Sequence, residues 1–259
     1  MRALWSGMIS FGLVNIPVKV YSALDPERMS LRYLHAKDLG PIQYRKVCAR
    51  ENIEVPTKEI VRGYEYEKDE YVTITDEELS RAAVEKSQAI EVNAFVDYGS
   101  VDFKMFEKPY YLAPDNKGAH RPYALFREAL HRSGKVGIGT FMLRTREHLV
   151  MLKADGSVIV LDELRYPAVI RSAAGLSLPS QAEKAPQNQL DLAMELIVRM
   201  SEKPEVHKLQ DTFQNRLKSL VEQKLKGKPA APRATVTIEA TRTGDIMEKL
   251  KASLESVSS

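Results

Sequence analysis

Residues 1–23 read MRALWSGMISFGLVNIPVKVYSA, and this stretch decides how the fold begins. From Val14 onward apolar and polar side chains alternate, which predicts a strand with one buried face. The large apolar residues before Val14 take the opposite phase, so the alternation slips at Leu13, beside Gly12. A slip next to a glycine is typical of a bulge or a sharp bend. We therefore expect one long bent strand that starts a β-rich fold.

The apolar content of this stretch also raises two alternatives, an export signal and a membrane anchor. Polar residues and a proline interrupt the run, so no piece of it approaches the roughly 18 apolar residues that cross a bilayer. The interrupting residues are Ser6, Ser10, Asn15, Pro17 and Lys19. The sequence therefore predicts neither export nor anchoring, and no membrane partner.

The cysteine content indicates a reducing compartment. Cys48 is the only cysteine, which excludes an internal disulfide and any zinc cluster built on several cysteines. Structural disulfides belong mainly to proteins outside the cytoplasm. We therefore expect the protein to be cytoplasmic.

The net charge of +3 hides an uneven distribution along the chain. Residues 31–50 hold five basic residues and one acidic residue, whereas residues 51–91 hold five basic and twelve acidic residues. Residues 101–153 return to ten basic and five acidic residues. If the fold gathers the two basic segments on one surface, that surface suits nucleic acid, with the acidic segment facing elsewhere. The simpler alternative is that these runs are solvated faces.

The predicted fold class is α+β, predominantly β, in three parts. Residues 1–170 contain alternating strands and one amphipathic helix that Gly134 ends, followed by a three-strand meander with an Asp-Gly turn. Residues 171–226 contain a connector and two helices with apolar stripes. Residues 227–259 form a flexible linker and a short helix over 245–257, whose narrow stripe implies a partner. No internal repeat is apparent.

The sequence predicts no catalytic site. Lys153–Gly156, KADG, matches the signature of nucleotidyltransferases, whose lysine becomes adenylylated. Those enzymes usually have an arginine two residues after the glycine, whereas this chain has Val158, and a hairpin turn accounts for the Asp-Gly pair. The five histidines share no metal-binding spacing with one another or with Cys48. We expect no enzyme, no cofactor and no metal, with a nucleotidyltransferase using Lys153 as a competing hypothesis.

Three basic clusters indicate a binding function instead. They lie in residues 35–50, in residues 115–127 and at the predicted hairpin tip 144–147. Arginine and lysine on loops suit phosphate oxygens, which need no base recognition. The aromatic residues near them are too few for a single-strand stacking platform. Backbone binding to duplex DNA is the preferred interpretation, and a basic barrel-type RNA-binding protein is the alternative.

Several long motifs of this chain are similar to the Ku family. The opening stretch 1–23, HAKD at 35–38 and YRKVC at 44–48 resemble bacterial Ku. The stretch 60–79, IVRGYEYEKDEYVTITDEEL, and YALFREAL at 123–130 also resemble eukaryotic Ku core subunits. The resemblance covers about residues 1–226 of the chain.

The resemblance implies a non-catalytic protein with a β-barrel core, an extended bridge and a C-terminal helical arm that embraces a second subunit. Two copies would form a ring-shaped homodimer that threads onto double-stranded DNA ends, which would make the protein nucleoid-associated. It implies recruitment of an ATP-dependent DNA ligase of the ligase D type in non-homologous end joining. Two features depart from the family pattern. Many bacterial family members end in a lysine-rich tail, which residues 227–259 lack. Family members also often have a second cysteine near the position of Cys48, and its absence here means that a zinc ribbon is not supported.

Together, the basic clusters and the resemblance assign the candidate site residues. The predicted DNA-binding residues are Lys37, Arg45, Lys46, Arg50, Lys117, Arg121, Arg127, Arg144 and Arg146. The predicted ligase-binding stripe on the tail helix is Ile246, Leu250 and Leu254.

Overall fold

In a computed structural model, the chain opens on a β-hairpin. The structure describes residues 1–25, 29–82, 88–143, 146–180, 185–201, 208–227 and 240–257. Strand β1, Trp5–Phe11, pairs antiparallel with β2, Val14–Ser22, and Phe11 lies opposite Val14. The expectation of one long bent strand is therefore wrong. Gly12 has φ of +56° at the first central position of a two-residue turn, where type II′ hairpins place glycine.

The first strand pair is part of a closed barrel of seven strands. Their order around the barrel is β1-β2-β6-β9-β8-β7-β5, in which only β1 and β5 run parallel. This arrangement confirms the predicted barrel. The other strands are β3 Arg62–Glu67, β4 Glu70–Ile74, β5 Ala89–Asp97, β6 Phe106–Pro114, β7 Lys135–Leu143, β8 Arg146–Asp155 and β9 Val158–Leu164.

Five α-helices accompany the strands in the described part of the chain. Gly134, with φ of +65°, ends the second helix as predicted, and Gly156 occupies the predicted Asp-Gly turn between β8 and β9. Thr75 and Glu78 form a capping box at the start of the first helix, each side chain bonding the other's backbone N–H. The helices are α1 Asp76–Ala82, α2 His120–Ser133, α3 Gln187–Ser201, α4 Thr212–Leu225 and α5 Ile246–Val257.

The chain divides into two compact units. The first contains residues 1–27 and 32–172 and holds the barrel, α1 and α2. The second contains residues 28–31 and 173–259 and holds α3, α4 and α5.

Helix α2 packs at one end of the barrel and completes its core. Phe126 stacks on Phe11 of the first hairpin with ring centroids 4.5 Å apart. Tyr123 lies deeper, where its hydroxyl donates to the Leu112 carbonyl at 2.7 Å and accepts from the Ile159 N–H at 2.8 Å. Burial raises the pKa of Tyr123, so this hydroxyl stays protonated and bridges β6 and β9.

The strand directions give the barrel two different ends. The α2 end carries α2, the β1–β2 turn and the β8–β9 turn. The opposite end, here called the hairpin end, carries the β7–β8 connection, the end of β2 and the start of β5. The chain therefore leaves the barrel after β2 and returns to it at β5 on the same end.

In the residues that the structure describes, the segment of chain between β2 and β5 has no buried core of its own. In the inserted segment, defined as residues 32–74, no residue is buried. Among the described strands, β3 and β4 pair only with each other, in a two-stranded ribbon outside the barrel. An isolated two-stranded ribbon is marginally stable in water. The inserted segment therefore needs cover from outside the barrel.

Residues 32–42 and 45–55 of the inserted segment form two hairpins of the same design. His35 N–H bonds the Gly40 carbonyl and Leu39 N–H bonds the His35 carbonyl. The same two bonds recur thirteen residues later, between Cys48 and Ile53 and between Asn52 and Cys48. Leu39 and Asn52, at equivalent positions, both have positive φ, 58° and 56°. The first hairpin, residues 32–42, thus has a structural copy in the second hairpin, residues 45–55.

The similarity of these two hairpins lies in the backbone and is almost absent from the sequence. Only two of their eleven aligned positions are identical, the arginines Arg32 and Arg45 and the alanines Ala36 and Ala49. The remaining similarity is chemical, and the shared turn is defined by backbone hydrogen bonds that many residue types permit.

In the second unit, α3 packs against α5. The side of α3 that holds Leu192, Ala193 and Leu196 is half-buried. The apolar stripe that the sequence predicts for this helix, Leu190, Met194 and Ile197, lies on a different side of α3 and is exposed, with Leu190 43% and Ile197 63% accessible. Helix α3 therefore has two apolar faces, of which α5 covers one.

We predict that Tyr123→Phe lowers the free energy of unfolding by about 1–3 kcal/mol, because it leaves the buried Ile159 N–H without a partner. Urea denaturation of both proteins measures the difference. Tyr166→Phe is the control, because the Tyr166 hydroxyl donates to the exposed Glu147 carboxylate and covers no buried backbone group in the described part of the chain. Equal losses in the two variants would contradict the role given to Tyr123.

Candidate nucleic-acid interface

The predicted DNA-binding residues divide between the two ends of the barrel. Arg146 begins β8 at the hairpin end, where the inserted segment is also attached. Lys117, Arg121 and Arg127 lie at the α2 end, on α2 and the turn before it. Arg144 lies outside the described residues. The sequence placed these cations in one set, whereas the topology separates them.

The four predicted DNA-binding cations of the inserted segment lie on its two hairpins. Lys37 and Arg50 occupy equivalent positions in the turns of the first and second hairpins, and both are exposed. Lys46 is exposed beside Arg45, whose guanidinium pairs with the Glu54 carboxylate at 3.0 Å. Within the described residues, Arg45 is the one of these four cations with an ion pair. The hairpins therefore present at least three unpaired cations to a ligand.

At the α2 end, one predicted cation has a structural contact. The half-buried Arg127 donates to the Ser157 carbonyl at 3.1 Å and so ties α2 to the β8–β9 turn. Lys117 and Arg121 are exposed. Arg121 and Lys117 are therefore better placed than Arg127 for contact with a ligand.

A polar network inside the hairpin end of the barrel was missed by the sequence analysis. His148 Nδ1 bonds one oxygen of Glu163, and the Tyr110 hydroxyl donates to the other oxygen at 3.1 Å. These three residues come from β8, β9 and β6, so the network joins three adjacent strands. Arg146 lies two positions before His148 and faces the same side of β8. The network therefore braces the strand that carries Arg146.

A signal for this network was present in the sequence. His148 and Glu163 fall at inward-facing positions of strands that were both predicted. Two polar residues at core positions of neighbouring strands predict a buried pair. Their partnership depends on the strand register, which alternation alone does not give.

Lys153 lies on the outer face of β8, where its ammonium group sits 3.8 Å from the centre of the Tyr98 ring. Burial raises the pKa of nearby Asp162, and the charge of Lys153 lowers it by less. Asp155 and Gly156 form the turn between β8 and β9. Lys153 is therefore packed as a structural residue, which disfavours the nucleotidyltransferase hypothesis.

An apolar groove of about 540 Å³ lies at the α2 end. Leu125 and Phe126 of α2 line one side of it, and Val14 and Phe95 line the other. Leu125 is 71% exposed, so the groove is open to contact.

The predicted ligase-binding stripe lies within the second unit. Leu254 is buried and Ile246 and Leu250 are half-buried, on the side of α5 that packs against α3. The stripe therefore already has a partner in the chain itself. Whether a ligase also uses it stays a prediction.

Among the described residues, no three His, Cys, Asp or Glu side chains converge as metal ligands. The helices that the structure describes include none with the length and apolar content to cross a membrane.

Comparison with known proteins gives the family. A family model described as the Ku70/Ku80 beta-barrel domain matches residues 10–192. The chain is 36% identical over 258 residues to the non-homologous end joining protein Ku of Opitutus terrae, covering 98% of this chain and 91% of that protein. It is 37% identical over 257 residues to the protein of the same name from Archaeoglobus fulgidus, covering 99% and 100%.

The chain belongs to the Ku family. A third relative, Ku of Bacillus subtilis, is 35% identical over 256 residues and covers 98% of this chain and 82% of its own length. Membership confirms the resemblance found in the sequence and the predicted barrel. Ku proteins bind DNA and are not enzymes, which confirms the prediction that this chain is not an enzyme.

For this Ku protein we predict that Leu254→Ala loosens α5 from α3. Truncation removes about 2 kcal/mol of burial free energy, so the backbone amides of α5 should exchange faster in hydrogen–deuterium exchange. Leu225→Ala is the matched control, because Leu225 is 82% exposed at the end of α4. Unchanged exchange in α5 would show that Leu254 does not hold the two helices together.

Proposed function

We propose that this Ku protein binds double-stranded DNA ends as a ring-shaped homodimer in non-homologous end joining, and acts at the nucleoid. The observation that carries the proposal is the inserted segment. It has no buried residue, it bears unpaired cations on two hairpins, and both its ends are attached to the same end of a barrel. A polyanion would bind the cations of such a segment, and a second subunit would bury its exposed apolar side chains.

The chemistry of the cations favours the DNA backbone over base edges. Lys37, Lys46 and Arg50 lie on turns and irregular chain, where they reach phosphate oxygens without entering a groove in a fixed orientation. A protein that must act at any break gains nothing from reading a base sequence. Phosphate contact therefore suits binding at DNA ends of any sequence.

Exposed apolar surface supports a second copy of the chain. The ribbon β3–β4 leaves Tyr64 65% and Tyr71 54% exposed. The uncovered face of α3 adds Leu190, Met194 and Ile197. Apolar areas of this kind mark interfaces between proteins. The dimer would bury them and would close the ring that the inserted segment begins.

Recruitment of an ATP-dependent ligase of the ligase D type is proposed for the C-terminal helix α5. Helix α5 is short and amphipathic, and it follows residues 227–244, which have the composition of a linker. Because its stripe lies against α3, ligase binding requires α5 either to leave α3 or to act together with it. The short tail gives no reason to expect additional DNA contact there.

We predict tight binding to linear duplex DNA and little binding to a closed circle of the same sequence, because a ring loads only over an end. If the dimer neutralises about six to ten phosphates, the affinity should fall about 10³- to 10⁵-fold between 50 and 200 mM salt. Electrophoretic mobility shifts on the linear and circular forms measure both effects.

Two comparisons separate the alternatives. Equal affinity for linear and circular DNA would contradict threading. Stronger binding to duplex RNA than to duplex DNA of the same length would favour the alternative of a barrel-type RNA-binding protein.

We also predict that deletion of residues 245–259 leaves DNA binding unchanged and abolishes stimulation of a ligase D type enzyme. The replacement of Ile246 and Leu250 by serine should act in the same way, and the replacement of the exposed Glu248 and Lys249 by serine should not. The measurement is the rate of end joining by the ligase with each variant. Full stimulation by the deletion variant would show that the ligase binds elsewhere.

A further inference from the structure

The two hairpins of the inserted segment are matched in chemistry as well as in backbone. Each begins with an arginine, Arg32 or Arg45, and each presents a cation in its turn, Lys37 or Arg50. The first hairpin is closed by the Ile42 N–H bonding the Tyr33 carbonyl, and the second by the equivalent bond thirteen residues later. The same backbone therefore holds a pair of cations at equivalent positions twice.

One of the differences between the two hairpins places an acid beside the first arginine of the second hairpin. Pro41 of the first hairpin lies opposite Leu34, and the equivalent residue of the second hairpin, opposite Val47, is Glu54. Glu54 forms the 3.0 Å ion pair with Arg45. In the first hairpin the position equivalent to Glu54 is a proline, which offers no acid to Arg32.

We propose that the two hairpins are two copies of one phosphate-binding unit, and that Glu54 weakens the second copy by holding Arg45. This inference rests on the proposed DNA binding. It identifies Glu54 as a residue that lowers the affinity for DNA by competing for Arg45. Arg45 should therefore contribute less to DNA binding than Arg32 does.

The effect of Glu54 has two physical parts. Its carboxylate occupies one donor of the Arg45 guanidinium, and its negative charge lies where a phosphate would approach. Both groups are exposed, so the pair is screened and worth little, which limits the expected change to about two- to fivefold in affinity. The pair weakens the contact and does not abolish it.

The acid is not needed to build the hairpin. The second hairpin is closed by backbone bonds, from Val55 N–H to the Lys46 carbonyl and from Cys48 N–H to the Ile53 carbonyl. The first hairpin forms the same turn with Pro41 at the equivalent position. Substitution of Glu54 therefore changes charge and leaves the fold in place.

The test exchanges the residues at this position in the full-length protein and measures affinity for a linear blunt-ended duplex over a range of salt. Glu54→Gln keeps a side-chain acceptor for Arg45 and removes the charge, so binding should tighten about two- to fivefold. If the freed Arg45 contacts one more phosphate, the slope of log affinity against log salt concentration should also become steeper by about 0.9. The reciprocal change, Pro41→Glu, should place an acid beside Arg32 and weaken binding by a similar factor.

Glu51→Gln is the matched control. Glu51 is an exposed side chain of the same hairpin, three residues before Glu54, and its substitution removes the same charge. An equal gain from Glu51→Gln and Glu54→Gln would overturn the proposal, since net charge alone would then account for both. No gain from Glu54→Gln would overturn it as well. In an Arg45→Gln background the gain from Glu54→Gln should shrink, and an unchanged gain would contradict the pairing argument.

These outcomes are separate from a failure of the proposed function. If the unaltered protein does not bind linear DNA, the proposed function fails and this inference fails with it. If it binds linear DNA and the exchanges at positions 41 and 54 have no effect, only the inference fails.

Discussion

The parallel pairing of β1 with β5 is the contact on which the rest of the structure depends. β1 lies between β2 and β5, so the chain leaves the barrel on one side of β1 and returns on the other. Gly7 permits this pairing, because a Cβ there would lie 2.3 Å from the Gln88 carbonyl oxygen that bonds Met8 N–H. Strands two places apart in a sheet are about 10 Å apart. The pairing therefore closes the barrel and also holds the end of β2 and the start of β5, between which the inserted segment lies, close together.

Because both ends of the inserted segment are attached to the barrel, the segment can keep its position without a core of its own. The barrel interior is filled by its own strands and by α2, and it offers nothing to cover residues 32–74. The inserted segment keeps its local shape through turns and backbone bonds, such as those of the two hairpins. It is this combination of fixed ends and uncovered side chains that suits a segment that passes around another molecule.

The sequence predicts the parts of this structure that depend on local pattern. The meander β7 to β9 and helix α2 follow from periodicity and from glycines in their turns, and both are found as expected. The phase slip at Gly12 was compatible with a bend as well as with a hairpin. Only the pairing of Phe11 with Val14 decides between them, and pairing is a contact that alternation does not contain.

Contacts between distant residues account for what the sequence did not predict at the site. The apolar stripe of α5 indicates that a partner exists, but α3 as that partner follows only from the packing. Arg45 and Glu54 are nine residues apart, and their pair forms because a hairpin brings them together. The sequence gives little sign of this hairpin, which shares only two of eleven residues with the similar hairpin before it. Likewise, the separation of Arg146 from Lys117 and Arg121 follows from strand direction, which charge counts along the chain cannot show.

The most direct test of this account is hydrogen–deuterium exchange of the full-length protein, alone and with linear or circular duplex DNA. We predict that linear DNA slows exchange in the turns 35–40 and 48–53 and in the ribbon β3–β4, while the barrel strands change little. Circular DNA should leave these amides nearly unchanged. The account would be contradicted if linear DNA bound tightly and the inserted segment exchanged as fast as it does in the free protein.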